Sequence, residues 1–183
     1  MSRQILFIQG GGDGTHDAWD NKLVASLEAG IGEGYPVRYP RMPDEGDPNY
    51  SAWKEELSKQ FDALDDGAFL VGHSIGASFL IHALAERRGK QKWSAVLLIA
   101  PPFFGAGGWP SDETDAMPSL ADLPSEIPVF LYHGAADAEV PVDHMKLYAR
   151  AIPHATTRVL ADRDHQLNND LSEVARDIRE LQS

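Results

Sequence analysis

The pentapeptide Gly72-His73-Ser74-Ile75-Gly76 is the stretch of this sequence best suited to chemistry. An apolar run, Ala68 to Val71, leads into it and a helix-like pattern follows. This is the G-x-S-x-G pattern of a nucleophile elbow, a serine on a sharp turn between a strand and a helix. So tight a reversal leaves no room for side chains two residues either side of the serine, so both places need glycine. The hydroxyl is then held clear of the backbone at a helix N-terminus, where the dipole favours a developing negative charge. Five such residues also recur by chance as an ordinary turn, so the rest of the chain must supply partners. A serine hydroxyl is a poor nucleophile until a neutral imidazole accepts its proton, and that imidazole needs a carboxylate to orient it.

Candidates for both follow the serine. After one later apolar run the sequence reads His133-Gly134-Ala135-Ala136-Asp137-Ala138-Glu139-Val140-Pro141, and after another Ala161-Asp162-Arg163-Asp164-His165. An acid and then a base thus follow the nucleophile, each just beyond a strand. Asp162 and Asp164, beside His165, read as solvated loop charges. A tetrahedral intermediate also needs two hydrogen-bond donors. The motif supplies the Ile75 N–H. The second is expected from the loop Gln9-Gly10-Gly11-Gly12-Asp13-Gly14, with the Gly11 N–H favoured and Gly12 next, because glycines let a backbone approach a ligand closely. The same loop fails as a phosphate cradle: it lacks Gly-Lys-Ser/Thr, and a dinucleotide fingerprint from Gly10 requires glycine where Thr15 stands.

Composition narrows the classes. At 183 residues, 43% hydrophobic and 24% charged, the chain suits one globular domain, 1–183, and no apolar run approaches a membrane span. The N-terminal apolar run is too short for a signal-peptide core and reads as a first strand. A formal charge of −12, with Glu86-Arg87-Arg88-Gly89-Lys90 the one basic run that stands out, argues against nucleic acid or an anionic membrane as partner. Absence of cysteine excludes disulfides, a thiol nucleophile and thiolate metal sites, and makes the cytoplasm the default compartment. No histidine has zincin-like spacing to a second ligand, so neither metal nor cofactor is expected.

Short β-like runs alternate with helical patterns, which predicts a parallel sheet with helices on both faces. The runs are 4–9, 37–39, 68–72, 95–100, 129–133 and 158–160, several of them continuously apolar, as strands buried on both faces should be. Helical stripes comprise Trp19, Leu23, Val24 and Leu27; Trp53, Leu57, Phe61 and Leu64, with Asn49 as N-cap; Ile75, Phe79, Ala83 and Leu84; Met145, Tyr148, Ala149 and Ile152; and Leu171, Val174, Ala175, Ile178 and Leu181, with Asn168 or Asn169 as cap. Their aromatics read as core. The segment 101–128, rich in proline and glycine, reads as a loop insert over the active-site edge of the sheet. There Phe103, Phe104 and Trp109 are candidate pocket residues, together with Met117; the plain alternative is a surface loop pinned by its aromatics. Gly12, His16 and His73 complete the candidate pocket, although His73 is also a common filler inside the elbow. His144 and His154 read as surface positions.

The elbow, the His133-to-Pro141 run and the late His165 together make the chain resemble the α/β-hydrolase superfamily. In size and layout it is similar to the small, capless serine hydrolases of the retinoblastoma-binding-protein-nine and YdeN-like group. The resemblance covers nearly the whole chain from Ile5 onward. It implies Ser74 as nucleophile, Asp137 as acid and His165 as base, in a three-layer α/β sandwich with a six-stranded, mainly parallel sheet of order 2-1-3-4-5-6. Where the superfamily often has His-Gly in the first loop, this chain has Gln9-Gly10. The activity so implied is hydrolysis of a small ester through an acyl-enzyme, with a small-molecule acyl substrate as partner. The same triad serves thioesterases, amidases and peptidases. A non-catalytic protein-binding module on the same fold is the alternative from a different class.

Overall fold

The computed structural model describes residues 4–87, 89, 91–112 and 117–182. Arg88 and Lys90 of the basic run, and 113–116 of the insert, lie outside them.

Six strands form one sheet: β1 (Ile5–Ile8), β2 (Val37–Arg38), β3 (Ala68–His73), β4 (Trp93–Ile99), β5 (Val129–Gly134) and β6 (Thr156–Leu160). Their order is β2-β1-β3-β4-β5-β6, and every neighbouring pair is parallel. Five helices accompany them: α1 (Asn21–Ile31), α2 (Tyr50–Asp62), α3 (Ser74–Glu86), α4 (Asp143–Ala151) and α5 (Ser172–Glu180).

Side-chain alternation along the strands builds two cores. Leu6, Ile8, Leu70, Val96 and Leu98 point to the face covered by Trp53 and Leu57 of α2, Phe79 of α3 and Tyr148 of α4. Ile5, Phe7, Phe69, Val71, Ala95 and Leu97 point to the face covered by Leu23 and Leu27 of α1 and Val174 and Ile178 of α5. Both faces are therefore apolar, which is why β1, β3 and β4 lack polar alternation.

Strand order reverses between β1 and its two neighbours. Ligand crevices in open parallel sheets lie beyond the strand C-termini at such a point. The register Ile8↔Gly72 brings Gln9 and the glycine loop after β1 level with the elbow after β3.

Local signals decide several element ends. Asn49 caps α2, its side chain accepting the Ala52 N–H at 3.1 Å. At α5 the expected cap differs: Leu167, Asn168 and Asn169 all have positive φ in a short 3-10 turn, and the helix starts at Ser172, whose N–H is accepted by Asp170 at 2.9 Å. Ahead of α1, residues Thr15–Asp20 form a π-helical turn, and Trp19 is not core but 55% exposed. The wider turn rotates Trp19 outward and carries the next residue, Asp20, fully inside.

The insert is pinned to α3 and α4. Pro102 O accepts the hydroxyls of Ser78 (2.6 Å) and Tyr148 (2.9 Å), the Phe103 N–H donates to His144 Nδ1 (2.8 Å), and His82 Nδ1 donates to Pro118 O (2.8 Å). His144 is consequently buried rather than at the surface. No helix among the described residues is long and apolar enough to cross a membrane.

Candidate active site

The elbow's shape follows from contacts that glycine alone permits. A Cβ on Gly76 would lie 1.8 Å from the Gln9 carbonyl oxygen, and one on Gly72 would lie 2.7 Å from Ala77 Cα. Absence of side chains there lets the first turn of α3 press against the end of β1. Ser74 itself has φ 53, a left-handed conformation that L residues rarely adopt.

Three distant side chains meet at this turn. Ser74 Oγ lies 2.9 Å from His165 Nε2, and His165 Nδ1 lies 2.8 Å from Asp137 Oδ2. Asp137 hangs from the loop after β5 and His165 from the loop after β6. Those loops pack closely because residue 134 is glycine: a Cβ there would fall 2.2 Å from the Arg163 carbonyl oxygen. The Asp137 side chain is shielded from solvent. Its Oδ1 accepts the N–H groups of Glu139 (2.8 Å) and Val140 (2.9 Å), and His133 Nε2 sits 3.1 Å from Oδ2. Burial alone would push this carboxyl up, but hydrogen bonds from His133, His165 and Val140 outweigh it and hold the group far below the usual carboxylate range. Asp137 therefore stays ionised and acceptor-only, which fixes a hydrogen on His165 Nδ1 and leaves Nε2 free to accept.

The glycine loop is tied down on both sides of Gly11. The Gly10 N–H donates to Asp20 Oδ2 at 2.7 Å, and the Gly12 N–H donates to the Glu45 carbonyl at 2.6 Å. Both of these N–H groups are thus engaged within the protein. The Glu45 carboxylate clamps the rest of the loop, accepting from Gln9 Nε2 (2.5 Å) and from the N–H groups of Gly14 and His16 (3.0 Å each). Gln9 Oε1 in turn accepts the Met42 N–H at 2.9 Å. The departure from His-Gly at this loop thus has a structural use: an amide carries both a donor and an acceptor, and buried Gln9 uses both.

A cavity of about 420 Å³ opens over Ser74 and His165. Gly12 and His73 line it, as do Trp19, Asp13, Glu139 and Asp164, which sequence reasoning did not place there. Its charged lining carries carboxylates and no Lys or Arg. His16, by contrast, stacks on Tyr39 with ring centroids 4.1 Å apart and does not line the cavity. Phe103, Phe104 and Trp109 do not line it either. Phe103 packs on Tyr148, Phe104 on Phe79, and Trp109 on His144. The insert's aromatics are engaged in pinning it to α3 and α4, and none of its described residues reaches the cavity. Arg163 pairs with Asp170 at 2.6 Å rather than with either aspartate beside His165. Among the described residues, no cluster of three or more His, Cys, Asp or Glu side chains could hold a metal ion.

A family model described as serine hydrolase matches residues 10–169. No curated protein matches the chain. Among solved structures, the ydeN gene product of B. subtilis is similar at 18% identity and a TM-score of 0.75, covering 97% of each chain. Est1E of Butyrivibrio proteoclasticus, solved with ferulic acid bound, is similar at 14% identity and a TM-score of 0.73, over 98% of this chain and 87% of its own. The esterase domain of a Rhodothermus marinus protein matches at 20% identity and a TM-score of 0.65, over 98% and 84%. At these identities the solved structures establish the α/β-hydrolase fold.

Proposed function

The chain belongs to the serine hydrolase family, and on that premise we propose that it hydrolyses small carboxylic esters through an acyl-enzyme on Ser74. The observation that carries this reading is the unbroken chain Ser74 Oγ, His165 Nε2, His165 Nδ1, Asp137 Oδ2, with links of 2.9 and 2.8 Å. As a substrate carbonyl enters, His165 Nε2 takes the Ser74 proton and Oγ attacks the carbonyl carbon. The resulting oxyanion is held by the N–H groups of Gly11 and Ile75. The His165 imidazolium, steadied by ionised Asp137, then protonates the departing alkoxide. Water then enters, gives a proton to His165 and attacks the acyl carbon, and His165 returns that proton to Ser74 Oγ as the acyl bond to it breaks and the acid leaves.

The cavity's modest volume favours a small acyl group and a small alcohol. The R. marinus domain is an esterase by name, which adds weight to ester over amide. The test is turnover on matched p-nitrophenyl esters, thioesters and anilides of short acids. The reading expects the esters to be cleaved fastest and Ser74→Ala to abolish cleavage. Preference for the thioester or anilide would move the substrate class. Undiminished turnover by Ser74→Ala would remove the nucleophile.

A further inference from the structure

Behind Ser74 lies a second carboxylate–imidazole pair that the reaction above does not use. Asp20 Oδ2 stands 3.0 Å from His73 Nδ1, and the two side chains are 0% and 2% exposed. The other ring nitrogen, His73 Nε2, lies 3.1 Å from the backbone carbonyl of His165. Both nitrogens thus face groups that only accept. A neutral imidazole donates from one nitrogen, so this geometry calls for hydrogens on both, an imidazolium buried against a carboxylate. Burial works against that charge, but Asp20, then the His165 carbonyl and more weakly Glu139, outweigh it and raise the His73 pKa.

A buried ion pair is rarely worth more to stability than apolar packing of the same volume, so its placement is informative. Asp20 Oδ2 also holds the Gly10 N–H at 2.7 Å, and Oδ1 accepts from Gln166 Nε2 at 3.1 Å. Gly10 precedes the Gly11 donor, Gln166 follows the base, and His73 precedes the nucleophile. Every partner of the pair is thus a residue of the glycine loop or of the loop bearing His165.

We propose that Asp20 and His73 are positioning residues whose ion pair ties the oxyanion loop and the base-bearing loop to the elbow, fixing the Gly11 N–H and the His165 ring relative to Ser74. The proposal rests on the assignment of Ser74 and His165 given above. The pair touches no reacting atom. It acts by holding three loop ends, from β1, β3 and β6, to one another. Loss of either charge weakens the hold on Gly10 and on the His165 carbonyl, and a displacement of about 1 Å at such a site costs on the order of 100-fold in rate.

The experiment uses Asp20→Asn and His73→Gln in the full chain, with p-nitrophenyl acetate as substrate. We expect kcat to fall about 100-fold in each while KM stays within about threefold. Affinity for a phenylboronic acid, whose tetrahedral adduct mimics the oxyanion, should fall with kcat, and affinity for acetate, the product, should not. A kcat within about threefold of the unaltered protein overturns the proposal, and so does an equal loss of acetate affinity, which signals a collapsed site. Should a variant fail to fold, the unaltered protein still decides: 15N spectra of labelled histidine should find both His73 nitrogens still protonated at a pH above the ordinary imidazole value near 6.5. A single protonated nitrogen there overturns the ion pair. Full activity in Ser74→Ala, by contrast, would refute the nucleophile assignment and not the ion pair.

Discussion

Replacing Asp137 by Asn changes one atom, and the surrounding hydrogen bonds dictate the outcome. Oδ1 accepts two backbone N–H groups, from Glu139 and Val140, so the amide oxygen must take that place. The new NH2 then occupies the Oδ2 position, 2.8 Å from His165 Nδ1 and 3.1 Å from His133 Nε2. To avoid opposing donors, His165 must move its hydrogen from Nδ1 to Nε2. Nε2 then points a hydrogen at Ser74 Oγ and cannot accept its proton. Wrong-tautomer substitutions of this kind cost about 10⁴-fold in kcat, or about 5.4 kcal/mol at 1.36 kcal/mol per tenfold. His133 faces the same conflict, since its Nε2 hydrogen is shared with the Val140 carbonyl at 2.8 Å, so the variant should also lose about 1–3 kcal/mol of stability. The assay is steady-state hydrolysis of p-nitrophenyl acetate alongside urea unfolding. KM should hardly move, because the cavity is untouched. A folded Asp137→Asn that keeps more than a tenth of the kcat would refute the tautomer argument and place the orienting acid elsewhere.

Other expectations follow from the same geometry. Gly76→Ala drives a Cβ into the Gln9 carbonyl, so it should cost at least about 2 kcal/mol in urea unfolding together with most of the activity; a neutral effect would mean the elbow is looser than described. Glu45→Ala removes the acceptor for the Gly14 and His16 N–H groups and for Gln9, and should cost about 2–3 kcal/mol and hasten proteolysis of the glycine loop, with unchanged cleavage counting against the clamp. The folded pKa of His73 is raised, so its stabilising share is complete below the unfolded value near 6.5 and is lost as pH rises through the folded one. Urea unfolding from pH 6 to 10 should therefore show the unaltered protein losing its margin over His73→Gln on the alkaline side, and a margin that grows with pH would contradict the ion pair. With Asp13, Glu139 and Asp164 on the cavity, esters bearing an ammonium group should show lower KM than isosteres bearing a carboxylate, a gap that shrinks with added salt and in Glu139→Gln; a reversed preference would show that the rim does not steer.

What could be read from the sequence was what local chemistry dictates. Apolar runs such as Ile5 to Ile8 and Val96 to Ile99 announce strands buried on both faces. The side chains that meet over the elbow are those that chain order singles out, because each follows its own strand and parallel strands deliver their loops to one edge. Long-range or register-dependent features were not legible. Trp19 has core-like helical spacing, and only the π turn before α1 rotates it into solvent. Asp20 and Glu45 are ordinary loop acids by composition, and their importance comes from backbone N–H groups many residues away. A buried aspartate can be inferred only once a partner such as His73 is placed beside it. For the insert, composition could not choose between the two readings, because aromatics in an irregular segment suit a ligand wall and a packed strap equally well. The hydrogen bonds to Pro102 and His144 that make it a strap involve α3 and α4, far off in sequence.

The account stands on Ser74 being the atom that attacks. Intact-mass spectrometry after incubation with a fluorophosphonate, followed by peptide mapping, tests that directly. One adduct per chain on the peptide bearing Ser74, absent from Ser74→Ala and strongly slowed in His165→Ala, is the predicted result. Equal labelling of Ser74→Ala, or an adduct mapped to another residue, would contradict it.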